Sequence, residues 1–224
     1  MSPNPPDPDN PRGALFSPLL EAAVRLAARG HHHQFRKHNN DELDNGLLAP
    51  PFIPDRVPYI THLMGTMCIL ARIGVRDEVL AASILHDYLE DVPDPDGRES
   101  IRTHLGDEVL SLVLEVTEHK RRDLDEEATW DLRKQEQLDH LARMPEEAVL
   151  IKAADVLHNL QSLLADLGAA DDPETVWKSF NAGPERQLWY FTNVIVAVKR
   201  RLGEHPLARD LDQAIASLSP LIPR

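Results

Sequence analysis

Three short segments hold most of the side chains able to do chemistry. The first, SILHDYLEDV at 83–92, sets His86 beside Asp87, with Glu90 and Asp91 one turn later. On a helix, positions 86 and 90 share a face, as do 87 and 91. One imidazole and three carboxylates thus crowd a stretch that also carries apolar Ile84, Leu85, Leu89 and Val92. Carboxylates four residues apart repel, and burying them is costly unless a cation or donor compensates. A divalent cation would compensate; a solvated helix face would need none, and this segment alone leaves both readings open. The second segment, PYITH at 58–62, puts His62 at the start of an apolar helix, where a lone histidine is more often structural. The third, LIKAADVLHNL at 150–160, spaces Lys152, Asp155 and Asn159 at helical steps of three and four. Its other positions (Leu150, Ile151, Ala154, Leu157, Leu160) are apolar, so the charged stripe is buried or lines a cleft. Together His62, His86, Asp87 and Asp155 would make a set of two imidazoles and two carboxylates. Such mixed nitrogen and oxygen ligation suits Mn, Fe or Zn better than Mg.

The elements that must position these residues read as helices throughout. Apolar residues recur at steps of three and four over 18–29, 60–73 and 76–91, and helices are expected at 98–104, 107–118, 130–142, 146–166, 173–180, 185–203 and 207–217. Pro18, Pro145 and Pro206 fall near helix starts, where proline is tolerated. There is no run of alternating strand residues, no internal repeat and no Gly-rich phosphate loop. The expectation is an all-α single domain, a helical bundle over residues 15–224. Residues 1–14 contain Pro3, Pro5, Pro6, Pro8 and Pro11 and are expected to be a disordered tail. Residues 38–58, with Pro50, Pro51, Pro54 and Pro58, read as a long loop inserted between the first two helices. Loops longer than about 12–15 residues are often functional. This one is entered past Arg36 and Lys37 and left just before His62, so both ends are expected beside the site.

Composition narrows the function classes. The 224 residues include 24 Lys+Arg against 37 Asp+Glu, a formal net charge of −13, which argues against an extended nucleic-acid interface. A small anionic ligand remains compatible, because a few cations can gather locally inside an acidic shell. No apolar run approaches the roughly 20 residues that a membrane helix needs, and the N-terminus lacks the basic and apolar regions of a signal peptide. Cys68 is the only cysteine, so no internal disulfide or Cys-rich zinc site is expected, and a cytoplasmic location follows. His31, His32 and His33 are consecutive and point in different directions on a helix; none is assigned as a ligand. The charge run at 120–134 reads mostly as a solvated face. Trp177, Trp189, Tyr190 and Phe191 read as core.

The joint pattern resembles the HD-domain metal-dependent phosphohydrolases. More closely it is similar to the (p)ppGpp hydrolase domain of the RelA/SpoT family and its stand-alone small alarmone hydrolases. The matching pieces are HHHQFRK (31–37), PYITH (58–62), ILHDYLED (84–91), GDEVLSLVLEVTEHK (106–120), RKQEQL (133–138), IKAADVLHNLQSL (151–163) and GPERQLWYF (183–191). The resemblance implies His62, His86, Asp87 and Asp155 as ligands of one Mn²⁺. It implies Glu90 and Asp91 as the acidic pair that orients and deprotonates water. It implies Arg36 and Lys37 at the guanine base, and Asn159, with Ser162 one turn on, near the ribose. Lys120, Lys152 and Arg186 would face the phosphates. The implied reaction is hydrolysis of the 3′-pyrophosphate of guanosine 3′,5′-bis(diphosphate) or its pentaphosphate, giving GDP or GTP and pyrophosphate. Beyond residue 203 there is no room for the synthetase domain of the long relatives, so alarmone synthesis is not expected. Three other functions compete: an antitoxin-type hydrolase that neutralises a cognate small alarmone synthetase or trims pyrophosphate from tRNA 3′ ends, an NADPH phosphatase, and an inactive HD regulatory module. The intact His62, His86, Asp87, Glu90, Asp91 and Asp155 set argues against the last.

Overall fold

Local capping decides where several helices begin. The Ser17 side chain accepts a hydrogen bond from the Leu20 amide at 3.3 Å, and Pro18 follows at a position with no intrahelical donor to lose, so α1 runs Pro18–Gly30. The Asp125 carboxylate accepts from the Ala128 amide at 2.8 Å and starts α7 (Glu126–Leu141), four residues before the apolar pattern alone suggested. The computed structural model describes residues 16–36, 57–118, 124–180 and 182–223. The proline-rich tail, most of the 38–58 insertion, Lys37 and Lys120 lie outside the described residues.

Eleven α-helices occur among the described residues. After α1 come α2 (Ile60–Arg72), α3 (Asp77–Ile84), α4 (Tyr88–Asp91), α5 (Gly97–Leu105) and α6 (Asp107–Val116). Beyond α7 come α8 (Glu146–Ala169), α9 (Pro173–Trp177), α10 (Pro184–Leu202) and α11 (Pro206–Leu218), closed by a short 3-10 turn at Ser219–Leu221. The all-α expectation holds: the one β feature among the described residues is an isolated antiparallel bridge between Phe35 and Pro58. It is fastened by Arg36 N to Val57 O at 2.9 Å and Tyr59 N to Gln34 O at 2.9 Å, so the two ends of the insertion lie side by side. Gly106 joins α5 to α6 as a single residue at φ 92°, a conformation that disfavours a side chain.

α8 is the axis of the bundle. Its 24 residues include Ala148, Val149, Ile151, Ala153, Ala154, Val156, Leu157, Leu160 and Leu163, all buried. It packs against α2, α6, α10 and α11, while α3 packs against α1, α2 and α6. A helix apolar on nearly every side belongs in the interior, and the polar positions in its middle, Lys152, Asp155 and Asn159, face a cleft.

One expected helix is divided. Residues 76–91 form α3, a non-helical turn at 85–87, and α4. The end of α3 has a local cause. The Ser83 hydroxyl donates to Leu80 O at 2.8 Å, and His86 Nδ1 sits 2.7 Å from Ser83 O, so side chains take carbonyls that a continuing helix would use. His86 lies within that turn, so the face-sharing of 86 with 90 does not apply, whereas the Asp87 carbonyl accepts from the Asp91 amide at 2.9 Å and keeps 87 and 91 one turn apart. Trp189 also departs from expectation: it is 41% exposed, whereas Trp177, Tyr190 and Phe191 are buried.

Candidate metal centre and substrate cleft

His62 stands in the first turn of α2, His86 and Asp87 in the turn between α3 and α4, and Asp155 in the middle of α8. Ligating atoms of His62, His86 and Asp87 all lie within 4.8 Å of one another. The two Nε2 atoms are 3.2 Å apart. Asp87 Oδ2 is 3.1 Å from His86 Nε2 and 3.8 Å from His62 Nε2. Asp155 Oδ1 is 3.3 Å from His62 Nε2 and 3.6 Å from His86 Nε2. Both histidines and Asp155 are buried.

The donor chemistry of this cluster fits a divalent ion. The carbonyl of Ser83 can only accept, so His86 carries a proton on Nδ1 and a neutral His86 ring turns a lone pair inward from Nε2. Two imidazole edges and two carboxylate oxygens then surround one point, and positive charge must enter. A proton can supply it. Burial disfavours the His86 imidazolium, yet Asp87 and Asp155 outweigh burial and hold its pKa well above the ordinary imidazole value. Burial likewise raises Asp87 and Asp155, but the imidazoles beside Asp87, and Lys152 with the imidazoles beside Asp155, keep both well below the usual carboxylate range. A metal ion would replace that proton, with His62, His86, Asp87 and Asp155 as its protein ligands.

Each member of the cluster is held from behind. The Tyr59 hydroxyl donates to Asp87 Oδ2 at 2.6 Å, and its ring stacks on His31 with centroids 5.2 Å apart. Asp155 receives Lys152 Nζ at 2.9 Å and Asn159 Nδ2 at 2.7 Å. Asn159 Oδ1 in turn accepts from Arg36 at 3.1 Å. His62 Nδ1 faces His158 Nδ1 at 2.9 Å. Gln34 joins His31 to this frame, with Nδ1 to Oε1 at 2.6 Å, and donates to the backbone carbonyl of Asp91 at 2.6 Å.

The centre opens into a cavity of about 400 Å³. Arg36, His62, His86, Asp87, Glu90, Asp91, Lys152, Asp155 and Asn159 all line it, so the structure brings these nine sequence-derived positions together. Ser162 is half-buried one turn beyond Asn159 and is not among the lining residues. Arg186 is also outside the lining. It reaches Asp131 Oδ1 at 3.1 Å and lies over the Trp130 ring, 4.7 Å from its centroid, on the outer flank of α7 and α10.

The opposite wall was not foreseen. Glu118, whose side chain is 7% exposed, receives Arg133, Gln137 and Lys134, the last at 2.7 Å. Its backbone amide donates to Glu90 Oε1 at 2.5 Å. The Tyr190 hydroxyl donates to Gln137 Oε1 at 2.6 Å. Arg133 and Lys134 belong to the run expected as a solvated face, yet Arg133 is buried and both line the cleft. The usable signal was the segment RKQEQL itself; nothing in its spacing showed that Glu118 would fold against it. Glu90, Glu118, Arg133, Gln137, Lys152 and Tyr190 form a wall shared with a larger cavity of about 1040 Å³ on their far side.

The HD-domain profile matches residues 52–183, more than half of the chain and the whole of the ligand cluster. The chain belongs to the HD-domain family. Among the chain's relatives, the guanosine-3′,5′-bis(diphosphate) 3′-pyrophosphohydrolase MESH1 of Xenopus tropicalis is 35% identical over 147 residues, covering 65% of this chain and 69% of that one. The human protein of the same name is 35% identical over 153 residues, covering 67% and 72%. A solved structure described as a metazoan ortholog of SpoT that hydrolyses ppGpp superposes with a TM-score of 0.68 at 23% identity, over 92% of this chain and 99% of that one. At that identity the superposition establishes the fold. No helix among the described residues is long and apolar enough to cross a membrane.

Proposed function

We propose that this protein is a manganese-dependent (p)ppGpp 3′-pyrophosphohydrolase. One observation carries the reading: the cluster of His62, His86, Asp87 and Asp155 opens into the same cleft as Glu90, Asp91, Arg36, Lys134 and Lys152. A site for a dense phosphate ester needs that combination of a metal centre, an acid to take a proton, and cations for the anionic oxygens. The MESH1 relatives carry this activity in their name.

The bound metal would supply Lewis acidity toward water and the scissile phosphoryl group. The chain's own residues do the rest. Glu90 is fixed through the Glu118 amide and acts with Asp91 to orient the attacking water and take its proton. The water oxygen bonds to the first phosphorus of the 3′-diphosphate and the bond from that phosphorus to O3′ breaks. The ribose hydroxyl regains a proton, and pyrophosphate and GDP or GTP leave. Lys152, whose burial is offset chiefly by the Asp155 carboxylate so that it stays cationic, and Lys134 face the phosphates. Arg36, tied to Asn159, faces the base and ribose.

The deciding experiment is product analysis of purified protein with Mn²⁺ against ppGpp, NADPH and tRNA bearing a 3′ pyrophosphate. Release of GDP and pyrophosphate from ppGpp with the highest kcat/KM is expected. A preference for NADPH or tRNA reassigns the substrate, and inactivity toward all three in metal-loaded protein overturns the proposal.

A further inference from the structure

We propose that His158 is a positioning residue for the metal centre. It orients the ring of His62 and accepts a hydrogen bond from its ligating tautomer, in a slot that Gly65 keeps open. The inference rests on His62 serving as a metal ligand.

The two Nδ1 atoms face each other at 2.9 Å, with ring centroids 4.8 Å apart and planes inclined by 60°. At that distance one nitrogen donates and the other accepts. His62 turns its Nε2 toward His86, Asp155 and Asp87. To offer a lone pair there, a neutral His62 must carry its proton on Nδ1 and donate to His158 Nδ1. His158, with its own proton on Nε2, accepts that hydrogen bond and so stabilises the ligating tautomer of His62, whereas the Ser83 carbonyl, an acceptor only, dictates that of His86. Both hydrogen bonds pin a ring plane.

Gly65 explains how the ring of His158 fits. It lies one turn after His62 on α2, where α2 packs on α8. A Cβ built on Gly65 would sit 2.2 Å from both Cδ2 and Nε2 of His158. No side-chain carbon tolerates that separation, so the ring occupies space that only a glycine leaves. A glycine inside a helix is otherwise unfavourable relative to alanine. His158 is also three residues from Asp155 on α8, so one helix supplies both a ligand and the brace for the ligand opposite.

The test is Mn²⁺ affinity, measured by titration calorimetry on metal-stripped full-length protein, with thermal midpoints recorded alongside. His158→Ala should weaken binding about 10–100-fold, the usual effect of removing a partner behind a metal ligand. His158→Gln, which restores an acceptor, should recover part of the loss. Gly65→Ala should weaken binding although it favours the helix. In a His158→Ala background, Gly65→Ala should have no further effect, because the ring it would strike is gone. Wild-type protein that binds no Mn²⁺ refutes the reading of the centre itself. Normal wild-type binding with unchanged affinity in His158→Ala refutes the inference alone. A Gly65→Ala loss of equal size in both backgrounds refutes the slot, because the effect would then arise in α2 itself.

Discussion

Around Glu118, buried charges meet their opposites: the carboxylate receives Arg133, Lys134 and Gln137, and those contacts tie the segment after α6 to α7. Around His62 and His86, on the other side of the cleft, the balance stays open. Two imidazole nitrogens 3.2 Å apart face two carboxylates, and the nearest cation, Lys152, is bound to the outer oxygen of one of them. Both clusters are buried and charged, so burial and charge alone do not mark a functional site. The difference is whether the protein supplies the compensating partner. Where it does, loss of a member should appear as lost stability. Where it leaves the partner to come from outside, loss should appear as lost ligand and lost turnover, with the fold intact.

The sharpest way to break this comparison is at the open cluster. His86→Ala or Asp87→Ala is expected to abolish both Mn²⁺ retention, by elemental analysis, and ppGpp hydrolysis, with an unchanged circular-dichroism spectrum. A fully active variant stripped of metal would show that the cluster is structural after all. Glu90→Gln should keep the metal and lose turnover on the order of 10²–10⁴-fold, the range for removal of a general base. Single-turnover kinetics on metal-loaded protein measure it, and near-wild-type rates would remove Glu90 from the proton transfer.

At the closed cluster the effect moves to stability. Glu118→Gln should cost about 1.5–3 kcal/mol, the range for hydrogen bonds to charged groups, measured by urea unfolding at pH 7. Its pH dependence has a definite sign. Burial raises the Glu118 pKa, but Lys134 and Arg133 outweigh it and hold the folded value below the ordinary 4.5. The unfolded chain therefore binds the extra proton first as pH falls. The stabilisation is complete above that ordinary value and disappears as pH drops through the folded value. The gap between Glu118→Gln and wild type should narrow in that acid range. The smallest effect belongs to Arg186→Ala. Its partner Asp131 is exposed, and it lies over the Trp130 ring while itself partly exposed, so stability should change by about 1 kcal/mol. Its position off the cleft predicts an unchanged KM, and a raised KM would return Arg186 to the phosphate site.

The helices were legible because amphipathic periodicity and capping residues are local. The cluster of His62, His86, Asp87 and Asp155 was legible as a candidate because His and Asp in apolar helices demand a reason wherever they occur. The break at 85–87 was not legible: it depends on Ser83 and His86 side chains taking carbonyls of α3, and the periodicity of SILHDYLEDV runs straight through it. Nor was the Glu118 wall, since the pairing of Glu118 with Arg133 and Lys134 is made by packing α7 across the cleft. His158 lay within a motif already singled out, but its role depends on a missing Cβ on another helix, and a bare glycine gives no signal in a sequence.

The bridge between Phe35 and Pro58 has a consequence for how such a chain can be altered. It brings Arg36 and Val57 into hydrogen-bond contact, so the two described ends of the insertion meet at one doorway. For flexible loops in general, doubling the length adds only about 0.6 kcal/mol to the cost of closure. Tyr59 and Arg36, which flank the doorway, are the residues that reach Asp87 and Asn159. Sequence can accumulate, shorten or be grafted at this point with little penalty to the bundle, while whatever is added emerges at the rim of the cleft. A lineage carrying this fold has there a cheap place to experiment with what reaches the cluster of His62, His86, Asp87 and Asp155.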